Sequence, residues 1–214
     1  MNASTRVVIF SGGQLDHWAL AHVTEGDLLI GADHGALFLV EHGFEPYLAV
    51  GDFDSVTPQQ LVRIREGSRN TEAYDPIDKD YTDTELAFER ALELRPDEII
   101  LVGALGTRFD HSLANIHLLV KAMQHGIPAS IADEHNEIRL TADRLAIRGA
   151  GYSNVSILPL TPRATGITLS GFRYPLADAV LEMGMSLGIS NVLEDQEGVI
   201  TVRDGWLLVV QSKD

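Results

Sequence analysis

Short, nearly continuous apolar runs alternate with longer stretches of helical spacing through the first 133 residues, and this alternation restricts the fold most. The runs are RVVIF (6–10), DLLIGAD (27–33), YLAVGDFD (47–54), EIILVGALG (98–106) and ASIAD (129–133). Parallel strands buried on both faces require this kind of run. Between them lie GALFLVEHG, TPQQLVRIREG, TDTELAFERALEL and DHSLANIHLLVKAMQHG. In the last, Leu113, Ile116, Leu119, Val120 and Met123 share one face, which is expected to be the buried one. The expected architecture over residues 1–134 is an α/β domain whose mostly parallel, open, Rossmann-like sheet is covered by helices.

The pattern changes near residue 135. NEIRLTA, DRLAIRG, SNVSILPL, GITLSGF, GVITVRDG and WLLVVQS are short, rich in β-branched residues and punctuated by glycine or proline. Residues 135–214 are therefore expected to form a small all-β domain, a sandwich or barrel, with LADAVLEMG (176–184) as its one candidate helical turn. No apolar stretch approaches the roughly 20 residues needed to span a bilayer, and no basic region followed by an apolar one marks an export signal. The chain has no cysteine, which excludes disulfides, thiolate metal sites and cysteine nucleophiles and fits a reducing cytoplasm.

Charge narrows the partners. The net charge of −15 opposes nucleic acid and anionic membrane, and any polyphosphate bound here would call for a divalent cation. Polar groups nevertheless gather where strands end: Asp33, then Asp52 and Asp54, then Arg108 and Asp110, while the turn DPIDKDYTD adds Asp78, Lys79, Asp80 and Asp83. Open α/β sheets bind ligands beyond the carboxyl ends of their strands, so these groups are expected to converge. At i and i+2 of an extended segment, Asp52 and Asp54 project to one side with Phe53 turned away. That spacing suits a hard cation such as Mg²⁺, which takes one or two carboxylates plus phosphate oxygens and water. The competing reading is a solvated DFDS turn with local backbone hydrogen bonds.

Other signals admit structural explanations too. Thr82-Asp83-Thr84-Glu85 and Thr57-Pro58-Gln59-Gln60 both fit capping boxes, and Asp110 would cap a helix starting at His111. No Walker loop or dinucleotide fingerprint is present. SGGQ (11–14) and GALGTR (103–108) offer backbone N–H groups near helix starts. Arg108 could grip phosphate oxygens bidentately, with Lys79 as a point charge. The eight histidines have no metal-ligand spacing, and no G-x-S-x-G elbow occurs. His111 beside Asp110 is either a base or a hydrogen-bonded structural residue.

Taken in order, GADHGALFL (31–39), P-x-x-x-x-GDFDS (46–55), DKDYTDTELA (78–87), GALGTRFDHSLANIHLL (103–119), GFRYPL (171–176), GISN (188–191) and the closing GVITVRDGWLLVV resemble the thiamine pyrophosphokinase family. His34 departs from it, standing where the family usually has glycine. The resemblance implies transfer of a diphosphate group from ATP to the thiamine hydroxyl, with AMP leaving. It implies a nucleotide-binding catalytic domain over 1–134, a β-sandwich thiamine-binding domain over 135–214, and a homodimer with active sites between subunits. By the same resemblance Asp52, Asp54 and Asp83 would hold Mg²⁺. Asp33, Lys79, Thr82, Arg108 and Asp110 would line the ATP site, with Arg108 and Asp110 acting in catalysis beside the metal set. Ser190 and Asn191 would face thiamine, alongside an aromatic such as Trp206 or Phe172. The proton acceptor is either Asp110 or one of the metal set. Thiamine is cationic, so the acidic surface suits it. Three alternatives keep parts of this chemistry: a pyrophosphokinase for another hydroxymethyl heterocycle such as a pterin, a non-catalytic nucleotide or thiamine sensor, and a metal-dependent phosphohydrolase.

Overall fold

Each apolar run of the first half becomes a parallel strand in the computed structural model, which describes residues 4–74, 81–149 and 151–214. The chain divides into two units, Met1–Glu134 and His135–Asp214. The first contains β1 (Arg6–Phe10), β2 (Leu28–Ala32), β3 (Leu48–Gly51), β4 (Thr71–Ala73), β5 (Glu98–Val102) and β6 (Ala129–Ala132). Within this unit they pair in the order β4-β3-β2-β1-β5-β6, every pair parallel. Its helices are α1 (His17–Leu20), α2 (His34–Glu41), α3 (Pro58–Gly67), α4 (Asp83–Glu93) and α5 (Phe109–Gln124).

The central strands are buried because helices cover both faces: Val7, Val8, Ile9, Phe10, Ile99, Leu101 and Val102 are fully shielded. Helix α2 lies so close that a Cβ on Gly35 would stand 1.9 Å from the Phe10 carbonyl oxygen. Helix α3 starts with the expected capping box. Thr57 Oγ1 accepts from the Gln60 N–H at 3.3 Å, and Gln60 Oε1 accepts from the Thr57 N–H at 2.8 Å. Helix α5 departs from expectation in its start and in its first two turns, while Leu119 is buried and Ile116, Val120 and Met123 are half-buried as the spacing implies. It begins at Phe109, two residues early, and buries Ser112, Asn115, Leu118, Leu119 and Ala122, leaving Leu113 41% exposed. The reason lies in the loop that precedes it, described below.

The second unit contains β7 (Asn136–Thr141), β8 (Arg144–Ile147), β9 (Asn154–Pro159), β10 (Arg163–Ser170), β11 (Leu176–Glu182), β12 (Gly198–Thr201) and β13 (Leu207–Ser212). β13 pairs with β7 and β9, while β10 pairs with β11 and β12, and β12 with β8, all antiparallel. Val155, Ile157, Leu207 and Val209 from the first set meet Ile147, Ala164, Ile167, Leu169, Leu181 and Ile200 from the second in one apolar cluster. The expected helical turn at 176–184 is instead strand β11, paired with β10 across two register shifts. Good helix formers yield there to cross-strand pairing and burial of Leu181. Among the described residues no helix is long and apolar enough to cross a membrane.

Candidate active site

The chain builds from β1 outward to β4, then crosses to the other side of β1 for β5 and β6. Loops leaving β1 and β5 therefore run in opposite directions and open a crevice between them, the usual ligand position of such sheets. A cleft of about 490 Å³ lies there, lined by Ser11–Gly13 after β1, Asp33 after β2, Ser55 after β3, Thr82–Thr84 at the start of α4 and Gly103–Arg108 after β5. His111, Ser112 and Asn115 of α5 close it. The two glycine-containing loops touch: the Gly13 N–H donates to the Gly103 carbonyl at 3.0 Å. A Cβ on Gly13 would sit 2.2 Å from that oxygen, so only glycine permits the approach. On the cleft floor the hydroxyls of Ser11 and Thr84 are 3.0 Å apart.

Asp33 is the most constrained residue in the cleft. Its φ of +49° puts a non-glycine residue in the left-handed region. It occupies the N-cap position of α2 without capping it. Its Oδ2 accepts a short hydrogen bond from the Ser55 hydroxyl, and its Oδ1 is buried without a hydrogen-bond partner. Burial pushes its pKa up against the opposing Ser55 hydrogen bond, and the charges of Asp83, Asp52 and Asp54 push the same way.

Asp52 and Asp54 lie beside the lining rather than within it, linked to it by backbone. The Asp52 N–H donates to Asp83 Oδ1 at 3.2 Å, and the Asp54 N–H donates to Asp52 Oδ1 at 3.1 Å. The segment is not extended as expected, because Phe53 has φ +56°. The chain turns there, and Phe53 is buried with Ala36, Leu37, Ala49 and Ile64. The local-turn reading describes the segment: it has its own hydrogen bond, is anchored by a buried aromatic, and carries acidic groups near Asp33 and Asp83. Among the described residues no three His, Cys, Asp or Glu side chains stand as a ready-made metal cage. The donor set fits Mg²⁺ nonetheless. Asp52, Asp54 and Asp83 are all carboxylates, the hard oxygen donors this ion takes alongside phosphate oxygens and waters, and the orphaned oxygen of Asp33 lies among their charges.

Arg108 is the N-cap residue of α5 and forks onto Asp110, Nε to Oδ1 at 3.3 Å and Nη2 to Oδ2 at 2.7 Å. Both are exposed. The guanidinium holds the Asp110 carboxyl below the usual range. Asp110 lies in the first turn of the helix and is not its N-cap, because the helix starts earlier than expected. His111 Nε2 stands 4.0 Å from Asp110 Oδ2. Thr82 caps α4, its Oγ1 accepting from the Glu85 N–H at 3.2 Å. Glu85 instead offers its carboxylate to Lys121 at 2.7 Å. Asp78, Lys79 and Asp80 lie outside the described residues.

In the second unit, Ser190 is exposed with φ +56°, its N–H donating to Ser156 Oγ at 3.0 Å. Asn191 is buried and largely committed to backbone. Its Oδ1 accepts from the N–H groups of Tyr174 at 3.0 Å and Val192 at 2.9 Å, and its Nδ2 donates to the Tyr174 carbonyl at 2.8 Å. Phe172 belongs to the apolar core, so it offers no face to a ligand. Trp206 is half-buried, and the exposed ring near Asn191 is that of Tyr174, 62% exposed on a backbone bonded at both its N–H and its carbonyl by Asn191. Sequence reasoning did not single it out; its place two residues after the buried Phe172 in GFRYPL was the available signal. Ser112 and Asn115 were missed as well, their signal being two polar residues three apart among apolar ones.

The family model described as "Thiamin pyrophosphokinase, catalytic domain" matches residues 20–131, and "Thiamin pyrophosphokinase, vitamin B1 binding domain" matches 138–207. A Bacillus subtilis thiamine pyrophosphokinase is 34% identical over 90% of this chain and 91% of its own. A Caenorhabditis elegans thiamin pyrophosphokinase 1 is 25% identical over 68% of this chain and 62% of its own. The solved structure of the Bacillus subtilis enzyme superposes with a TM-score of 0.90 at 33% identity, covering 99% of this chain and 100% of that one. That of a Geobacillus thermodenitrificans thiamin pyrophosphokinase gives 0.87 at 30% identity, with 98% of each chain covered. The paired domain matches, in order along the chain, and the agreement of sequence and fold with these relatives make one conclusion plain: the chain belongs to the thiamine pyrophosphokinase family.

Proposed function

We propose that this chain transfers a diphosphate group from ATP to the primary hydroxyl of thiamine, releasing AMP, in a Mg²⁺-dependent reaction. The observation that carries the reading is the buried, unpartnered Oδ1 of Asp33 among the charges of Asp52, Asp54 and Asp83. Carboxylates that repel one another in a half-buried cleft cost free energy unless a cation joins them. In this reading Asp52, Asp54 and Asp83 hold Mg²⁺, and Asp33, Thr82, Arg108, Asp110 and the undescribed Lys79 line the nucleotide site. When bound, the metal neutralises polyphosphate charge and polarises the phosphorus under attack. The thiamine oxygen forms a bond to the β-phosphorus as the bond from that phosphorus to the α–β bridging oxygen breaks; AMP leaves with that oxygen, and the hydroxyl proton passes to a carboxylate, Asp110 or one of Asp52, Asp54 and Asp83. The chain's task is alignment. Arg108 contributes a guanidinium beside the cleft, with Asp110 orienting it.

The first unit is read as a Rossmann-like nucleotide-binding catalytic domain and the second as the thiamine-binding sandwich. The exposed ring of Tyr174 suits the cationic thiazolium, with exposed Ser190 beside Asn191 in the same site. The net charge of −15 draws such a cation in. A cytoplasmic homodimer with active sites between subunits completes the reading. The outward apolar side chains Phe109 and Leu113 in one unit and Met183, Met185 and Leu187 in the other support it.

The test is AMP release followed with ATP, thiamine and Mg²⁺. Formation of AMP that requires all three is expected. AMP without thiamine, ADP in its place, or tight binding without turnover would overturn the reading, and faster turnover with a hydroxymethyl pterin would reassign the acceptor.

A further inference from the structure

The first two turns of helix α5 face the wrong way for a helix governed by apolar burial, although Leu118, Leu119 and Ala122 farther along are buried as expected. Phe109 is 76% exposed and Leu113 41%, while Ser112 and Asn115 are each only 8% exposed. Surface helices normally segregate the opposite way, and local rules of this kind are broken mainly where function requires it. The two inward polar groups do one thing in common: they hold the loop Gly103–Arg108. Asn115 Nδ2 donates to the Ala104 carbonyl at 2.7 Å. The Gly106 N–H donates to Ser112 Oγ at 3.1 Å, and the Ser112 hydroxyl has two carbonyls within reach, Arg108 at 3.2 Å and Gly106 at 3.4 Å, the first of which also accepts the Ser112 N–H at 3.1 Å as the helix N-cap. From the opposite side the Gly13 N–H donates to the Gly103 carbonyl. The carbonyls of Gly103 and Ala104 are thereby engaged by donors from outside the loop, and Gly106 is fixed by Ser112, at the point where Gly103, with φ +67°, reverses the chain beside the cleft. A polyanion approaching a loop is repelled by loose carbonyl dipoles and attracted by oriented amides.

We propose that Ser112 and Asn115 are positioning residues that preset loop 103–108 to receive the nucleotide, Asn115 by tying the Ala104 carbonyl away from the polyphosphate and Ser112 by fixing the backbone at Gly106. The inference rests on the reading that ATP occupies this cleft, and it deepens that reading by naming what shapes the loop. Neither side chain need touch ATP.

The test combines steady-state kinetics, calorimetric binding of a non-hydrolysable ATP analogue, and thermal melting of the full chain carrying Asn115→Ala, Asn115→Asp, Ser112→Ala or Ser112→Thr. Asn115→Ala is expected to raise the KM for ATP and the Kd for the analogue about tenfold, the KM for thiamine changing by less than about twofold. Asn115→Asp should do more, since it turns a carboxylate oxygen toward the Ala104 carbonyl and adds charge under the polyphosphate. Ser112→Thr, which keeps the hydroxyl, should disturb ATP binding less than Ser112→Ala; this pair reads the same split if the Asn115 variants do not fold. A merely structural role would lower Tm while leaving the KM for ATP and the analogue Kd at wild-type values, or would raise both substrates' KM alike. Either result overturns the proposal. A wild-type chain that forms no AMP would instead overturn the functional reading, and analogue binding would still decide the role of the loop.

Discussion

The cleft of the α/β unit and the Tyr174 region of the antiparallel unit are built on opposite principles. Asp33 and Asp83 line the cleft with Asp52 and Asp54 close beside it, and one carboxyl oxygen, Asp33 Oδ1, is buried without a hydrogen-bond partner. Around Tyr174, the buried Asn191 spends three hydrogen bonds on neighbouring backbone, and the aromatic ring stands on a fixed base. The first region leaves a buried carboxyl oxygen unpaired among like charges. The second satisfies its buried polar side chain and holds an exposed ring on a fixed backbone. On the proposed function, the first arrangement suits charged ligands and the second a flat ring.

The sharpest way to break this comparison is Asp54→Asn. Asp54 is exposed, so folding should survive and Tm should move by no more than about 2 °C. Turnover should fall about 100-fold, equivalent to about 2.7 kcal/mol of transition-state stabilisation. Wild-type activity in the folded variant would remove Asp54 from the metal set. The matching experiment in the second region separates the ring from its base. Tyr174→Ala should raise the KM for thiamine about tenfold at unchanged Tm, within the range of cation–π contacts. Asn191→Ala should raise it similarly and also lower Tm by several degrees, because it strips buried backbone groups of partners at about 1–3 kcal/mol each. An unchanged KM for thiamine in both would detach this region from thiamine binding.

The smallest effect concerns stability and pH. The Asp33 pKa is raised, so between the unfolded carboxylate value and the raised folded one the folded chain binds more protons. Stability therefore falls as pH climbs through that window, and the penalty is fully present above it. Asp33→Asn, which tolerates the left-handed backbone, should melt a few degrees higher than wild type near pH 7, and its advantage should vanish in acid below the unfolded pKa. A lower Tm at pH 7 would mean that Asp33 is satisfied in the folded chain, and the contrast between the regions would lose its basis.

What was legible followed local rules. The five buried strands, the capping box of α3 and the gathering of acids at strand ends each depend on short-range pattern or on the fixed end at which parallel strands present their loops. What was not legible depended on partners distant in sequence. Strand β4 is three residues, TEA, half exposed and without periodicity. Strand β11 looks helical until β10 supplies hydrogen bonds. The face of the first two turns of α5 was misjudged because apolar spacing alone was weighed. Full burial of Leu113 offers about 1.5–3 kcal/mol, and leaving the buried Ala104 carbonyl unpaired costs a comparable amount, about 1–3 kcal/mol. The polar term exists only once the loop lies against the helix, so apolar spacing alone does not register it.

The amino-acid sequence by itself determined the order of the five buried strands, the change from parallel α/β to antiparallel β near residue 135, and which carboxylates could meet. Backbone propensity and hydrophobic periodicity are local, and strand direction dictates the end at which those acids emerge. Tertiary structure alone decided that the half-buried Asp33 would carry an orphaned oxygen, that the Asp52–Asp54 segment would turn rather than extend, and that Tyr174 rather than Phe172 would face outward. Those outcomes depend on competition for burial and for hydrogen-bond partners between segments tens of residues apart, which no local pattern encodes.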